Sequence, residues 1–301
     1  MSKKTAAVMA GAFLAMFLAV CGSDQSLIPE GSTPQFPAKP AKINLLAKLP
    51  YSSSRIAVLG DCRDGPSSFE DITDDIVNMK PQPELVAHLG DMISDAGSGI
   101  EWYDFQKQAK PLAGRYPFYP IPGNHDVTDQ SSEEIYRNQF PAPINNLYYE
   151  VEFKDLLLIF LDSEITGEHG EITGQQFDWL KNLLAQKGAN FRYRVVFVHR
   201  PLFPSAEHVG DSLDGNPAAR DRLHKLFVSS GVNLVFVAHE HIYDRKKIGG
   251  VTYVTTGGAG APLPDDPKAF FNFVFLAETG RGLQGYDFSI GGVLKDQFLI
   301  K

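Results

Sequence analysis

Cysteine is scarce in this sequence, which has 301 residues but only two cysteines, Cys21 and Cys62. Small scaffolds held together by disulfides need several cysteine pairs, so that class of protein is excluded. If Cys21 is modified or removed during export, Cys62 has no partner within the chain. The folded part must then be stabilised by packing, and an apolar content of 43% is ample for a buried core.

An excess of positive charge is also missing. The 28 Lys and Arg residues are outnumbered by 36 Asp and Glu residues, which gives a net charge of −8. Surfaces that bind nucleic acids concentrate Lys and Arg, because they must neutralise the phosphate backbone. We therefore expect no nucleic-acid partner, and a soluble acidic surface explains the charge.

The N-terminal apolar run is too short for a confident membrane span. Lys3 and Lys4 precede apolar residues from Ala6 to Val20, the pattern of a signal peptide over residues 1–21. The run ends in Val20-Cys21-Gly22, which resembles a bacterial lipobox, in which the cysteine carries lipid and becomes the mature N-terminus. Small residues are usual in the place of Val20, so an ordinary cleaved signal is the alternative. We expect an exported protein of the periplasm or cell envelope, touching the membrane only through a lipid anchor at Cys21.

The rest of the chain divides into a tether and one domain. Residues 22–50 are rich in Pro, Ser, Gly and Lys, which is typical of a flexible tether. Residues 51–301 fit a single domain in which short apolar runs alternate with helical patterns, followed by strands alone after Lys246. This order predicts an α/β fold, a two-sheet β-sandwich flanked by helices. The predicted helices are Asp71 to Met79, Trp102 to Leu112, Glu133 to Phe140, Gln175 to Gln186 and Ala218 to Val228.

Five predicted strands end in polar residues that can bind metal ions. These strand ends are Gly60-Asp61, Gly90-Asp91, Gly123-Asn124-His125-Asp126, His199 and His239-Glu240-His241. Each motif alone has an ordinary explanation, since Gly-Asp is common in turns and a single histidine is often a hydrogen-bonded core residue. Ligands of open α/β sheets bind beyond the carboxyl ends of the strands, so we expect these side chains to converge on one site.

The residue types in these motifs suit a pair of metal ions. Asp and Asn offer oxygen ligands and His offers nitrogen, a mixture that fits Mn, Zn or Fe. One carboxylate can bridge two ions, and two ions about 3.5–4 Å apart can clamp a phosphate and activate a water molecule. The sequence therefore predicts two divalent or trivalent ions as cofactors.

In this order the motifs resemble those of the calcineurin-like metallophosphoesterases. Three further stretches are similar to the purple-acid-phosphatase-like branch of that family: His199-Arg200-Pro201, His241-Ile242-Tyr243-Asp244-Arg245 and Thr256-Gly257-Gly258-Ala259-Gly260-Ala261-Pro262. The resemblance implies a four-layer α-β-β-α architecture. It also implies metal-dependent hydrolysis of a small phosphate ester, by attack of a metal-bound hydroxide. The sequence leaves open whether the substrate is a monoester or a diester.

The resemblance also implies a role for each residue. Asp91 would bridge the ions, Asp61 and His241 would bind the first ion, and the second would take the ligands Asn124, His199 and His239. His125 would contact the phosphate and protonate the leaving oxygen, and Asp126 completes the same motif as a further catalytic candidate. A loop between Ser205 and Pro217 is expected to line the pocket.

Two positions depart from the family pattern. Arg63 stands where the family usually has a histidine ligand, and Ser94 stands where purple acid phosphatases have a tyrosine. Arginine cannot ligate a metal, so Arg63 either binds a phosphate oxygen as a catalytic residue, replaces a missing ion, or turns away into an ion pair with Asp64 or another carboxylate. Arg63 keeps open the alternative of a noncatalytic phosphate- or metal-binding protein on the same fold.

The lipobox resemblance generates a prediction about Cys21. Metabolic labelling with a fatty acid should mark the wild-type protein and should not mark the Cys21→Ser variant, because the thiol is the site of lipid attachment. Equal labelling of both proteins would rule out a lipid at Cys21. An unlabelled exported product that begins at another residue would favour the ordinary cleaved signal.

Overall fold

The computed structural model describes residues 54–140 and 147–301, so the predicted signal peptide and tether lie outside the described residues. Within these ranges the helices are α1 (Pro66–Asn78), α2 (Gly99–Ala113), α3 (Gln130–Gln139), α4 (Gly174–Lys187) and α5 (Pro217–Ser229). The strands are β1 (Arg55–Leu59), β2 (Leu85–His88), β3 (Phe118–Pro120), β4 (Tyr149–Phe153), β5 (Leu156–Phe160), β6 (Tyr193–Phe197), β7 (Leu234–Val237), β8 (Tyr243–Ile248), β9 (Val251–Thr256), β10 (Asn272–Thr279), β11 (Gly282–Ser289) and β12 (Val293–Ile300). None of the helices in the described ranges is long and apolar enough to cross a membrane.

The strands form two six-stranded sheets. The first has the order β12-β11-β10-β1-β2-β3, and the second has the order β4-β5-β6-β7-β9-β8. Neighbours are parallel from β1 to β3 in the first sheet and through β5, β6, β7 and β9 in the second. The remaining pairs are antiparallel.

The two faces of the second sheet contribute to different apolar layers. In β5, Leu156, Leu158 and Phe160 join the cluster that contains the first sheet, with α1 and α2. Leu157 and Ile159, which alternate with them, join a second cluster formed with α4 and α5. This period of two is the geometry of a strand that is covered on both faces. The sheets therefore pack on each other with helices outside, as predicted.

A row of aromatic rings crosses the second sheet on its inner face. Tyr149, Phe160, Phe197 and Phe236 occupy directly opposite positions on β4 to β7. Their consecutive ring centroids are 4.7, 4.6 and 5.7 Å apart, with the rings nearly parallel. Such pairs contribute about 0.5–1.5 kcal/mol each beyond the burial of their area. The row fixes the register of β6 and β7, the strands that lead into the candidate histidine ligands.

The predicted helices are all present, and the predicted strands overlap observed ones. Helix α1 begins at Pro66, five residues before the predicted Asp71, because proline is favoured at the first helical position. Strand β8 is missing from the sequence-based assignment. Its residues Tyr243–Ile248 are mostly charged, which is how a sheet edge is protected but which hides the apolar alternation of a strand.

Candidate metal centre

Both sheets contribute side chains to one site. Asp61, Asp91 and Asn124 follow β1, β2 and β3 of the first sheet. His199 follows β6 of the second sheet, and His239 and His241 follow β7. The parallel strands of the two sheets end at this common edge, so the convergence expected from the sequence is present.

The metal-binding atoms form two groups that share one carboxylate. Asp61, Asp91 and His241 make one group, and Asp91, His199 and His239 make another; within each group the ligand atoms lie within 4.8 Å of one another. Asn124 joins the second group, because its Oδ1 is 3.0 Å from Nε2 of His199. The sequence-predicted ligands are therefore brought together, with Asp91 in the shared position.

The backbone is left-handed at three of these residues. Asp61, Asp91 and His239 have φ angles of 59°, 53° and 68°, a conformation that costs about 1–3 kcal/mol per non-glycine residue and persists only where the surroundings enforce it. The amide of Asp61 donates to the carbonyl of Gly90, and the amide of Cys62 donates to the carbonyl of Asp91. The amide of His239 donates to Oδ2 of Asp61 over 2.9 Å. These bonds tie the strand ends to one another.

Two glycines leave the space that the carboxylates occupy. A Cβ atom on Gly123 would lie 2.2 Å from Oδ1 of Asp91, and one on Gly257 would lie 2.3 Å from Oδ2 of Asp61. Both distances are far shorter than a van der Waals contact, so any side chain at either position would displace a carboxylate.

The charges of the site fit bound cations. Asp61 and Asp91 are both buried. Burial, followed by the charge of Asp91, raises the pKa of Asp61 well above its ordinary value. Oδ1 of Asp61 has no hydrogen-bond partner among the described residues. An unpaired buried carboxylate is costly, and a metal ion satisfies it. The residues present therefore fit the metal ions that the family resemblance implies.

The surroundings of the histidines favour the neutral ring, which is the form that binds a metal ion. Nδ1 of His199 lies 2.8 Å from the carbonyl of Leu89, and Nδ1 of His241 lies 2.7 Å from the carbonyl of Pro262. Because a carbonyl only accepts, each Nδ1 carries the proton and leaves Nε2 for an ion. Burial lowers the pKa of both rings, and also that of His239.

His125 and Asp126, which follow Asn124, have different surroundings. His125 belongs to neither ligand group; its amide donates to Oδ1 of Asp91 over 3.0 Å and its Nδ1 lies 3.1 Å from the carbonyl of Ser94. Asp126 is buried and accepts backbone N–H groups from Met92, Ile93 and Gly123. These contacts favour a positioning role for Asp126, joining the loops after β2 and β3, over the direct catalytic role that its motif suggests.

The Arg63 side chain forms the ion pair with Asp64 that was one of the arrangements expected from the sequence. Its Nη1 forms an ion pair with Asp64 at 2.8 Å, and its Nε lies 3.5 Å from Oδ2 of Asp91. The hydroxyl of Ser94 donates to the other oxygen of Asp64 over 2.6 Å. The two departures from the family pattern, Arg63 and Ser94, therefore meet at one carboxylate beside the first ligand group.

The structure also adds residues that the sequence did not assign. The ring of His208 packs against His239 with centroids 4.0 Å apart, and His208, Asp211 and His239 form a third group of candidate ligand atoms. The predicted pocket loop did contain Asp211, but no spacing pattern marked either residue as a neighbour of His239. Loop conformation sets this contact, and periodicity carries no signal for it.

Known proteins are similar to this chain in sequence. A mouse protein named acid phosphatase type 7 is 28% identical over 64% of this chain and 47% of its own length. An Arabidopsis thaliana protein named probable inactive purple acid phosphatase 24 is 24% identical over 70% of this chain and 42% of its own length. An Arcobacter nitrofigilis protein named probable glycerophosphodiester phosphodiesterase GpdQ is 33% identical over 44% of this chain and 48% of its own length. The chain thus spans about half the length of these curated relatives.

The fold likeness and the family match agree. The solved structure of purple acid phosphatase PPD1 from yellow lupin seeds superposes with a TM-score of 0.69, covering 83% of this chain and 55% of that chain at 19% identity. This likeness shows the fold, two sheets flanked by helices. Residues 54–243, which include all six candidate ligands, match the sequence model described as calcineurin-like phosphoesterase. This match covers more than half of the chain, and the chain belongs to the calcineurin-like phosphoesterase family.

Proposed function

We propose that this protein hydrolyses small phosphate esters at a centre of two metal ions. The observation that carries the proposal is the pair of ligand groups that share Asp91. Asp61 and His241 complete the first ion site, and Asn124, His199 and His239 complete the second. When bound, the two ions supply charge that polarises a phosphoryl oxygen and acidifies a water molecule.

In this proposal His125 protonates the leaving group. Its Nδ1–H donates to the carbonyl of Ser94, which orients the ring and leaves Nε2 as the other proton-carrying atom. In the protonated ring, Nε2–H can pass to the leaving oxygen, so that the product departs as an alcohol. The amide of His125 donates to Oδ1 of Asp91 over 3.0 Å, which links the backbone of the proton donor to the shared carboxylate.

In this proposal Arg63 binds the phosphate group of the substrate. Its Nη1 is committed to Asp64, while Nη2 makes no hydrogen bond to any described residue. A guanidinium can donate to a phosphate oxygen without losing its charge. The same charge lies beside Asp91 and opposes the first ion, which has three protein ligands in place of the usual four.

A noncatalytic phosphate- or metal-binding protein is the second candidate. The position of Arg63, 3.5 Å from Asp91, favours it, as does a relative whose name describes it as probably inactive. One assay separates the two candidates. The protein is stripped with a chelator, and hydrolysis of a chromogenic phosphomonoester and of a phosphodiester is followed as Mn, Zn or Fe is added back. Metal-dependent turnover supports the enzyme, while metal or phosphate binding without turnover of either ester supports the alternative.

Export also belongs to the proposal. It rests on the charged and apolar residues 3–20 and on Cys21. An exported phosphoesterase would meet its ester substrates outside the cytoplasm.

The shared position of Asp91 predicts an unequal loss of metal among ligand variants. Asp91→Asn should lose more metal than Asp61→Asn or His199→Ala, because it alone removes a charged ligand from both ions. Elemental analysis of the purified variants measures this, with melting temperature as the control for folding. Full metal content and activity in Asp91→Asn would show that the bridging assignment is wrong.

The separate position of His125 predicts a loss of turnover without a loss of metal. His125→Ala should keep its metal content and lose about 10²–10⁴-fold in kcat, the usual contribution of a general acid. The loss should shrink for substrates with acidic leaving groups, which need little protonation. An equal loss across a series of leaving groups would contradict a role in proton transfer.

The position of Arg63 predicts that the first ion is held more weakly than the second. Arg63→His should raise the metal content of the first site and raise the inhibition constant of inorganic phosphate, because a ligand is gained and a phosphate-binding cation is lost. Arg63→Lys is the matched control, since it keeps the charge and should leave the first site weak. Two tightly bound metal equivalents in the wild type, with the metal content and the inhibition constant of phosphate both unchanged in Arg63→His, would contradict both effects.

A further inference from the structure

The three histidine ligands differ in what holds their second ring nitrogen. His199 and His241 each donate from Nδ1 to a backbone carbonyl. His239 instead has its Nε2 3.4 Å from Oδ1 of Asp211. An ionised carboxylate only accepts, so this contact places the proton on Nε2 of His239 and leaves Nδ1 as the nitrogen for the ion. Among these three contacts of the nitrogens that are not assigned to an ion, only that of His239 is to a side chain.

Asp211 lies on a surface loop, residues 205–216, that precedes α5. Its side chain is 62% exposed, whereas that of His239 is 4% exposed. Two further contacts hold the loop beside the ring. His208 packs on the ring of His239, and its Nδ1 lies 3.1 Å from Oδ2 of Asp211. Asp211 therefore connects two histidines, one of which is a candidate metal ligand.

Two residues hold this loop in place, and each of them is next in sequence to a candidate histidine ligand. Glu240, between His239 and His241, is buried and accepts the amide of Ser205 over 2.8 Å. Arg200, which follows His199, donates to the carbonyl of Asp211 and is itself paired with the buried Glu164 at 2.8 Å. The strand ends that carry the second ion's histidines thus also determine where Asp211 lies.

We propose that Asp211 is a positioning residue for the second metal ion, an inference that rests on the proposed metal centre. Its carboxylate accepts the Nε2–H of His239, turns Nδ1 towards the ion and strengthens the ring as a donor. Partners of this kind typically change metal affinity by about 10–100-fold. Because the carboxylate stands on an exposed loop, retention of the second ion depends on the position of residues 205–216.

The test measures metal binding at the second ion site alone. In a His241→Ala background, which weakens the first site, the dissociation constant for Zn²⁺ is measured by competition with a chelator. Adding Asp211→Ala should raise this constant by about 10–100-fold, and Asp211→Asn should raise it less, because an amide oxygen still accepts from Nε2–H. Glu207→Ala is the matched control. It removes an equally negative loop side chain that lies 3.9 Å from His208. Glu207 forms no hydrogen bond or ion pair with His239 among the described residues, so this variant should leave the constant unchanged.

A second measurement reports on the hydrogen bond itself. In the Co²⁺-loaded protein with both sites intact, the ring N–H protons of bound histidines give shifted, exchangeable NMR signals. Asp211→Ala should speed the solvent exchange of one such signal, that of His239, and leave those of His199 and His241 slow. Unchanged zinc affinity and unchanged exchange in Asp211→Ala would overturn the inference, as would an equal loss of affinity in Glu207→Ala. If the wild type binds no metal at all, the proposed function fails instead.

Discussion

Two carboxylates, Asp61 and Asp91, are buried side by side at the edge where both sheets end, and the rest of the site depends on that pair. In an apolar interior two adjacent negative charges repel each other and lose their hydration, so bound cations stabilise such a pair. Left-handed backbone at both residues, and glycine at positions 123 and 257, give the carboxylates the room to face each other. The surrounding histidines are kept neutral by burial, which makes them ligands rather than competing charges.

The two ion sites of the proposed centre are supported unequally. The first has Asp61, Asp91 and His241, with the Arg63 guanidinium beside the shared carboxylate. The second has Asp91, Asn124, His199 and His239, and its last ligand is supported by Asp211. The chain therefore combines one ion site crowded by a protein cation with one site reinforced by a protein anion. The cation beside the first site departs from the pattern that the family resemblance implies, as does Ser94.

The convergence of these residues was predictable because strands that are buried on both faces give continuous apolar runs, and each run here is followed by a polar residue. Parallel strands then bring those residues to one edge, which is why Asp61, Asp91 and His199 could be grouped without coordinates. Their division into ligands of two ions came from the family resemblance. Other features depend on contacts between distant segments. The three amides on Asp126 and the contact of Asp211 with His239 join loops whose conformation has no periodic signal. The pairing of Arg63 with its neighbour Asp64, by contrast, was one of the alternatives expected from the sequence. Strand β8 escaped prediction because its charged residues protect a sheet edge.

The central claim is that Asp91 joins two ions in one centre, and a titration of metal-free protein with Mn²⁺, followed by electron paramagnetic resonance, tests it most directly. Ions about 3.5–4 Å apart and bridged by one carboxylate are magnetically coupled. We predict that the signal of isolated Mn²⁺ grows during the first equivalent and is replaced by a coupled spectrum as the second, weaker equivalent binds. Two bound equivalents that give only the signal of isolated ions, or a protein that binds no more than one ion at any concentration, would contradict the claim.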